Sequence, residues 1–238
     1  VDDEGNHYSL KEVDKGGIGS AKVILRKGGS MGDMYVTNRL KRDQEGNVYI
    51  DKATQNVKKE DIKNSDEFVK LGSVLPKSNL GFRNDFSYKG FTLGFMLAAR
   101  FGGIVLSPTQ AVMDQFGVSK STEIARDNGG IQINNGKVDV QTYYTETAGV
   151  SGLMSNYVYS ATNVRLQELT FGYSFPSKWF NNKLNLSVAL TGHNLWMIYN
   201  KAPFDPESTA STGTYYQGID YFMQPSLRNF GFNVKIQF

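Results

Sequence analysis

The last eleven residues, RNFGFNVKIQF, alternate strictly between apolar and polar side chains. Phe230, Phe232, Val234, Ile236 and Phe238 occupy every second position, and polar or glycine residues stand between them. Because successive side chains of a β-strand point to opposite faces, this segment predicts a strand with one apolar and one polar face. The pattern by itself fits an edge strand of a soluble sandwich as well as a strand in a membrane wall.

Six further segments carry a strand signal. The seven predicted strands span approximately residues 21 to 27, 33 to 39, 80 to 87, 91 to 101, 163 to 175, 184 to 194 and 228 to 238. The four that alternate most cleanly are longer than the usual globular strand of about five or six residues. They reach the length of about 9 to 11 residues that a tilted strand needs to cross a bilayer.

The connections between these segments alternate in length. Short turns are predicted at residues 27 to 32, 88 to 90 and 175 to 182, and long polar connections at about 40 to 79, 102 to 162 and 195 to 227. Outer-membrane barrels have short periplasmic turns and long extracellular loops. The alternation therefore predicts an all-β fold in which these strands form part of a transmembrane barrel.

Composition narrows the function classes. The 238 residues include no cysteine, which excludes disulfides, thiolate metal sites and cysteine nucleophiles, and Lys plus Arg (26) barely exceed Asp plus Glu (23). The small positive excess is spread along the chain, so it gives nucleic-acid binding little support. No apolar run approaches the roughly 18 residues of a spanning helix, and no signal peptide is apparent at the start.

Two motifs resemble catalytic or metal-binding signatures. The run GGSMG at 28 to 32 matches the nucleophile-elbow pattern with Ser30 at its centre, but the only histidines are His7 and His193. That chemistry needs a strand-to-helix turn, a histidine and an acid, so a chance match is favoured. The acidic run DQEGNVYID at 43 to 51 lacks the spacing of a calcium loop, which favours a solvated turn. We predict no catalytic residue, no metal ligand and no cofactor.

Three stretches resemble a known family. They are NDFSYKGFTLGFMLAARFGG (84 to 103), ATNVRLQELTFGYSFPSKW (161 to 179) and LTGHNLWMIYNKAPFDPES (190 to 208), and they are similar to the C-terminal part of SusC/RagA-type TonB-dependent transporters of Bacteroidetes. LGSVLPKSNLGF (71 to 82) and GGSMGDMYV (28 to 36) resemble two further stretches of that family, in the same order. The resemblance covers the chain from about residue 17 to the end.

The resemblance implies a 22-strand barrel of which residues 1 to 238 are the C-terminal part. The family's plug domain, TonB-contacting segment and N-terminal strands are expected to lie outside this chain. About seven strands cannot close a barrel, and an open edge in lipid leaves backbone groups unsatisfied. The even-numbered face of the last strand is then expected to meet lipid, and Phe238 resembles the terminal aromatic that barrel-assembly machinery recognises.

The function implied is a multi-pass outer-membrane nutrient importer and not an enzyme. Its cargo is expected to be an oligosaccharide or an oligopeptide, captured under a SusD-like surface lipoprotein. The expected partners are the N-terminal part of the same transporter, that lipoprotein, outer-membrane lipid, and the TonB complex through the N-terminal part. The alternative is a soluble or surface-anchored β-sandwich that binds carbohydrate.

Candidate substrate contacts are aromatic residues in or beside the last external loop: Trp196, Tyr199, Phe204, Tyr215 and Tyr216. Aromatic faces stack on sugar rings or peptide side chains at low entropic cost, but aromatic residues also form girdles at both interfaces of a barrel. Both roles remain open for these five residues.

Charged and aromatic residues at other strand ends complete the candidate set. Arg100 ends the polar face of its strand, and Arg83 and Asp85 lie on the polar face of the preceding strand. These three side chains either line the passage or pair with each other, and pairing is favoured. Trp179 and Phe180, at the opposite turn, are expected to belong to a girdle.

Overall fold

The computed structural model describes residues 12 to 210, 213 and 216 to 238. The strands in chain order are β1 (Glu12–Ile18), β2 (Ala21–Arg26), β3 (Asp33–Val36), β4 (Asn38–Leu40), β5 (Ile50–Asp51), β6 (Asn56–Val57), β7 (Lys59–Asp61), β8 (Val69–Ser73), β9 (Ser78–Tyr88), β10 (Phe91–Phe101), β11 (Ile104–Leu106), β12 (Ile131–Ile133), β13 (Gly136–Val138), β14 (Val158–Ser160), β15 (Asn163–Ser174), β16 (Asn185–Asn200) and β17 (Asn229–Gln237). The helices are α1 (Pro108–Gln115), α2 (Lys120–Asp127) and α3 (Val140–Thr147). Short 3-10 turns cover Ser65–Glu67, Met154–Tyr157 and Ser177–Phe180.

These elements form two compact units. Of the described residues, the first unit takes 12 to 75, 104 to 159 and those between 209 and 223. The second unit takes 76 to 103, 160 to 208 and 224 to 238. The chain is therefore mostly β, as predicted, with three short helices that belong to the first unit.

The second unit is a five-stranded antiparallel sheet in the order β17-β16-β15-β10-β9. Its strands are 9 to 16 residues long, and five of the seven predicted strands are confirmed in it. The chain leaves the sheet for its long connections at one end of the strands, and its two short connections lie at the opposite end. We call these the long-connection end and the short-connection end.

The β9–β10 hairpin shows how the sequence sets this register. Lys89 and Gly90 are its two turn residues, and their φ angles are both positive, at 46° and 87°. Positive φ angles at both central residues are characteristic of a type I′ turn, whose twist matches the right-handed twist of the paired strands. Glycine is needed at the second position, because a Cβ there would lie 2.7 Å from the backbone oxygen of Ser174.

The first unit contains a four-stranded sheet in the order β1-β2-β3-β8. All four residues of β3 are buried, and Ala21, Val23 and Met34 belong to a core that also holds Leu106 and Ile219. The assignment of residues 21 to 27 and 33 to 39 to the barrel wall is therefore wrong: β2 and β3 join a separate four-stranded sheet, and residues 38 and 39 belong to β4, which pairs with β7. Burial on both faces is the signature of a core strand, whereas a wall strand keeps one apolar face uncovered.

The helices lie within the connection predicted between residues 102 and 162. Each begins at a side chain that caps the free backbone N–H groups of the first turn: Ser107 accepts from Gln110 N, Ser119 from Thr122 N, and Asp139 from Thr142 N. Pro108 fits the first turn of α1, where its missing N–H has no cost. Throughout the described part of the chain, no α-helix is long and apolar enough to cross a membrane.

Candidate functional site

One face of the second unit's sheet is built almost entirely of apolar side chains. Phe86, Leu93, Phe171, Leu190 and Phe232 lie directly opposite one another across all five strands. Residues in direct register share a face, so these side chains form one continuous row. Equivalent rows precede and follow it, and we call this surface the apolar face.

The apolar face is uncovered. In its central strands Phe95, Leu97, Leu169 and Tyr173 are partly buried by their neighbours. Sixteen other large hydrophobic side chains of the face are between 37% and 80% exposed: Leu80, Phe82, Phe86, Tyr88, Phe91, Leu93, Phe101, Phe171, Val188, Leu190, Trp196, Tyr199, Phe230, Phe232, Val234 and Ile236. No residue with a charged side chain is paired into this face in the described strands, and Asn84 on the edge strand β9 is its one polar member between the aromatic ends. Monomeric soluble proteins rarely expose a contiguous apolar patch of more than a few hundred Å². A larger patch of this kind marks an interaction site for a membrane or for another protein surface.

The height of the apolar face matches a bilayer. Aromatic side chains stand at the short-connection end, including Phe91 and Tyr173, and at the long-connection end, including Phe101, Trp196 and Tyr199. The ten residue steps from Phe91 to Phe101 cover roughly 33 Å along the strand at about 3.3 Å per residue. A strand tilt of about 40° reduces this to roughly 25 Å, the height of the apolar band of outer-membrane barrels.

Trp196 and Tyr199 lie inside β16 and not in the loop that follows it. Trp196 pairs with Leu166 and Tyr199 with Val164, which places both aromatic rings on the apolar face. β16 continues to Asn200, beyond the predicted end at residue 194, across two irregularities in its pairing with β15. This placement favours the girdle role over the substrate role, and substrate contact by either residue stays a prediction.

The opposite, polar face carries a charged cluster. Arg83 donates from Nε to Asp85 at 3.0 Å and from Nη1 to Glu168 at 3.3 Å. The predicted pairing of Arg83 with Asp85 is therefore present. Arg100 lies further along the same face, opposite Asn79 and Asn163.

A buried ion pair fixes the segment that follows β16. Arg165 is 5% exposed, and its Nη2 atom lies 2.9 Å from Asp205 Oδ1 and 3.2 Å from Glu207 Oε2. Ser226 donates its hydroxyl to Asp205 Oδ2 at 2.7 Å, so Asp205 joins β15 to both ends of the segment 205 to 226. Burial alone would raise the pKa of Asp205, but the Ser226 hydroxyl, the Glu207 amide and the Arg165 charge together lower this pKa. We call this group the Asp205 clasp.

Sequence reasoning missed the Asp205 clasp. Arg165, Asp205 and Ser226 are 21 to 61 positions apart in the chain, and no spacing motif connects them.

The structure places the remaining aromatic candidates in different units. Phe204 is half-buried in the second unit, where its carbonyl accepts from the Asn200 amide at 2.7 Å, and Tyr216 is exposed in the first unit. Tyr215 lies outside the described residues.

The described residues between 209 and 223 belong to the first unit. Ile219 is fully buried and forms a parallel bridge with Leu106. Leu106 N donates to Gly218 O at 2.9 Å, and Asp220 N donates to Leu106 O at 2.8 Å. Ser107 adds a buried bond from its hydroxyl to Asp220 Oδ2 at 2.7 Å. Part of the predicted external loop is therefore a core element of this unit.

A second buried carboxylate joins the helices of the first unit. Asp114 accepts from the Tyr157 hydroxyl at 3.1 Å, from Gln110 at 3.0 Å and from Ser121 at 2.8 Å. Burial and then the Asp114 charge raise the pKa of Tyr157, so this phenol stays protonated and keeps donating. Both carboxylate oxygens have donors, which is the arrangement of a structural cross-link.

The two motifs with catalytic or metal-binding resemblance adopt ordinary turns. Ser30 lies between β2 and β3, without the strand-to-helix turn of a nucleophile elbow, and its Oγ is 3.2 Å from Ser73 Oγ. Asp43 Oδ1 accepts from the backbone amides of Glu45 and Asn47, both at 2.9 Å, which confirms the solvated turn. Among the residues described, no group of three or more potential ligands is placed to hold a metal ion.

Two curated proteins are similar to most of this chain. TonB-dependent receptor P3 of Formosa agariphila is 25% identical over 214 residues, which are 87% of this chain and 20% of the relative. TonB-dependent receptor P39 of the same organism is 25% identical over 206 residues, 83% of this chain and 18% of the relative. The chain thus spans about a fifth of the length of these relatives. No family model matches the sequence.

Two solved structures have a similar fold. A chain in the structure of the RagAB peptide importer in its "closed-closed" state superposes with a TM-score of 0.54 and 16% identity, covering 90% of this chain and 25% of that chain. A structure of the RagAB peptide transporter gives 0.50 and 14%, covering 86% and 23%. The resemblance to TonB-dependent receptors indicated by the sequence motifs is confirmed, and these relatives are receptors and transporters rather than enzymes.

Proposed function

We propose that this chain forms part of the barrel wall and external region of an outer-membrane TonB-dependent importer. The observation that carries the proposal is the apolar face, which is uncovered and free of charged side chains across all five strands. An up-and-down antiparallel sheet with one lipid-facing and one polar face is the wall of a transmembrane barrel.

Open sheet edges do not occur in the hydrocarbon of a bilayer, because unpaired backbone groups there cost several kcal/mol each. β9 and β17 are the two edges of the described sheet. We expect further strands of the same transporter to pair with them and to complete a barrel of about 22 strands, as the family resemblance implies. The length of the curated relatives supports this expectation.

The chain would do no covalent chemistry. Its polar face would line the passage, and the first unit would belong to the external region that receives cargo with a SusD-like lipoprotein. The TonB complex would act through the N-terminal part of the transporter. The cargo is an oligosaccharide or an oligopeptide, and Arg100 and the five aromatic candidates remain predicted contacts. Phe238 remains a predicted assembly signal.

The β-sandwich alternative has less support. A sandwich buries its apolar faces against each other, so the large side chains of those faces should be covered. In the described residues the apolar face is exposed instead, with Phe230 and Phe232 both at 80%.

Spin labelling tests the wall directly. This chain has no cysteine, so a single cysteine at Leu190 or Thr191 is the one labelling site that it contributes to the whole transporter reconstituted in lipid vesicles. We expect the label at Leu190 to collide with lipid-soluble oxygen and the label at Thr191 with a water-soluble nickel complex, because neighbouring residues of a strand face opposite solvents. Two labels that both collide mainly with the nickel complex would refute the wall.

Native mass spectrometry tests the assembly. The transporter would be extracted from membranes in mild detergent. We expect this 26.5 kDa sequence to be detected in one complex with the rest of the transporter and a lipoprotein. A species that is monomeric and equally stable without detergent would contradict the importer and favour the sandwich.

A further inference from the structure

The two connections at the short-connection end of the sheet carry positive side chains and no negative ones. These connections and their flanks, YKGF at 88 to 91 and SFPSKWFNNKLN at 174 to 185, contain Lys89, Lys178 and Lys183 and no acidic residue. β10 and β15 are neighbours in the sheet, so the two connections emerge side by side. We call these three residues the lysine collar.

The lysine collar is available for binding. All three side chains belong to exposed residues, and none of them takes part in a salt bridge among the described residues. Lys89 Nζ lies 5.2 Å from the centre of the Tyr88 ring, at the margin of the apolar face. Trp179, directly after Lys178, is 67% exposed and packs against Phe175 at 5.9 Å between ring centres.

The long-connection end differs in its charge balance. There the carboxylates Asp205 and Glu207 pair with Arg165, and the exposed cations Lys77, Lys201 and Arg228 lie at the same end. The short connections differ in that they hold three lysines and no carboxylate, beside aromatic rings of the kind that settle at headgroup depth.

We infer that the lysine collar binds the phosphate groups of net-anionic phospholipids in the leaflet that meets the short-connection end. This inference rests on the proposed lipid contact of the apolar face. Lysine presents a compact cation to phosphate while its aliphatic stem lies along apolar surface, and the exposed tryptophan fixes the depth. Each lysine near an anionic lipid surface contributes about 1 kcal/mol, or about fivefold in binding.

The position of the collar identifies the occupant. A free anion would use the charges but not the adjoining exposed rings, whereas a phospholipid uses both its headgroup and its acyl chains. Lys235 provides an internal contrast: it stands at the same end, but its partner across the strands is Ser187 on the polar face. It should therefore make no contribution to lipid selection.

The test uses the whole transporter in nanodiscs of phosphatidylcholine and phosphatidylglycerol, followed by native mass spectrometry of the lipids that remain bound. The collar variant combines Lys89→Gln, Lys178→Gln and Lys183→Gln. We expect the wild type to retain phosphatidylglycerol preferentially, and the collar variant to lose this preference by at least about fivefold.

A matched control removes three positive charges at other positions of the same unit. It combines Lys77→Gln, Lys201→Gln and Lys235→Gln, and all three of these residues are exposed. We expect its lipid preference to equal that of the wild type. Equal losses in both variants, or a wild type without any preference, would overturn the inference, because the effect would then be nonspecific or absent.

Inorganic phosphate distinguishes a free-anion site. Release of phosphatidylglycerol by millimolar phosphate, but not by equal chloride, would show that the collar recognises a free anion and would overturn lipid docking. The proposed function fails separately, namely if the wild type stays soluble and monomeric without detergent. A collar variant that integrates into membranes but loses its lipid preference supports both proposals.

Discussion

Replacing Phe230 by arginine distinguishes a lipid-facing sheet from a sheet in water. Phe230 lies opposite Gly192 on the apolar face, four residues before Val234, which belongs to the row of Phe91 near the short-connection end. Four residues correspond to roughly 13 Å along the strand and, at a tilt of about 40°, to a depth of roughly 10 Å. The substitution therefore places a cation near the middle of a band about 25 Å high.

The expected magnitude depends strongly on the solvent. In water, Phe230 is already 80% exposed, so the remaining fifth of a ring that buries about 200 Å² contributes at most about 1 kcal/mol. In lipid, arginine near the bilayer midplane costs about 2 to 4 kcal/mol, which is roughly a 30-fold to 1,000-fold change in the folded population. Asn229→Arg is the matched control, because Asn229 is exposed on the polar face opposite His193.

The assay is urea unfolding of the whole transporter in lipid vesicles, followed by tryptophan fluorescence. We expect Phe230→Arg to lower the free energy of unfolding by about 2 to 4 kcal/mol, and Asn229→Arg to change it by no more than about 0.5 kcal/mol. If both variants stay within about 1 kcal/mol of the wild type, the apolar face does not meet hydrocarbon and the proposed wall is refuted.

Four further predictions concern the buried groups and turns. Arg165→Met should destabilise the second unit by about 3 kcal/mol and speed proteolysis within residues 201 to 228, because it leaves a carboxylate buried without its cation; unchanged proteolysis would contradict the Asp205 clasp. Folding lowers the pKa of Asp205, so its contribution to the stability of the folded state is complete above the unfolded pKa of about 3.9 and is lost as the pH falls through the lowered pKa. The proteolysis rate of the wild type should therefore be constant from about pH 5 to 8 and rise only in stronger acid. Tyr157→Phe removes one of three donors to a buried carboxylate and should cost about 1 to 2 kcal/mol in thermal unfolding, whereas no change would show that the bond is dispensable. Gly19→Ala should lower the free energy of unfolding by at least about 3 kcal/mol, because φ is +57° and the new Cβ would lie 1.8 Å from a backbone oxygen. Gly28→Ala, with open space around the new Cβ, should lower it by only about 1 to 2 kcal/mol. Equal melting temperatures of these two variants would contradict the packing at Gly19.

Part of the candidate site could be predicted from the sequence. The side-chain alternation placed β10 at its observed bounds and the other strands of the second unit within a few residues, apart from the end of β16. Asn194 has a φ of 52° there, and the irregular pairing breaks the period-2 pattern before the strand ends. Trp196 and Tyr199 were consequently expected beside the loop and not on the apolar face.

The Asp205 clasp and the buried position of Ile219 could not be predicted in this way. Both depend on contacts between residues that are far apart in the chain, and a single sequence gives no spacing rule for such contacts. The short helices were missed for a related reason. Each is eight residues long, so it offers about two turns of periodicity, and only the capping residues Ser107, Ser119 and Asp139 mark where they begin.

The unequal success of the pattern in the two units is itself informative. In β17, Phe232 and Asn233 are neighbours of opposite polarity, and both are exposed. In β3, Tyr35 and Val36 are neighbours that are both buried in the first unit. When both faces of a sheet are uncovered, strict alternation is maintained only if each face meets a different solvent. A sheet with water on both faces would tolerate polar residues at every position. The regularity of the five strands of the second unit, together with the exposure of the apolar face, is what the proposed wall requires of two faces in hydrocarbon and in water.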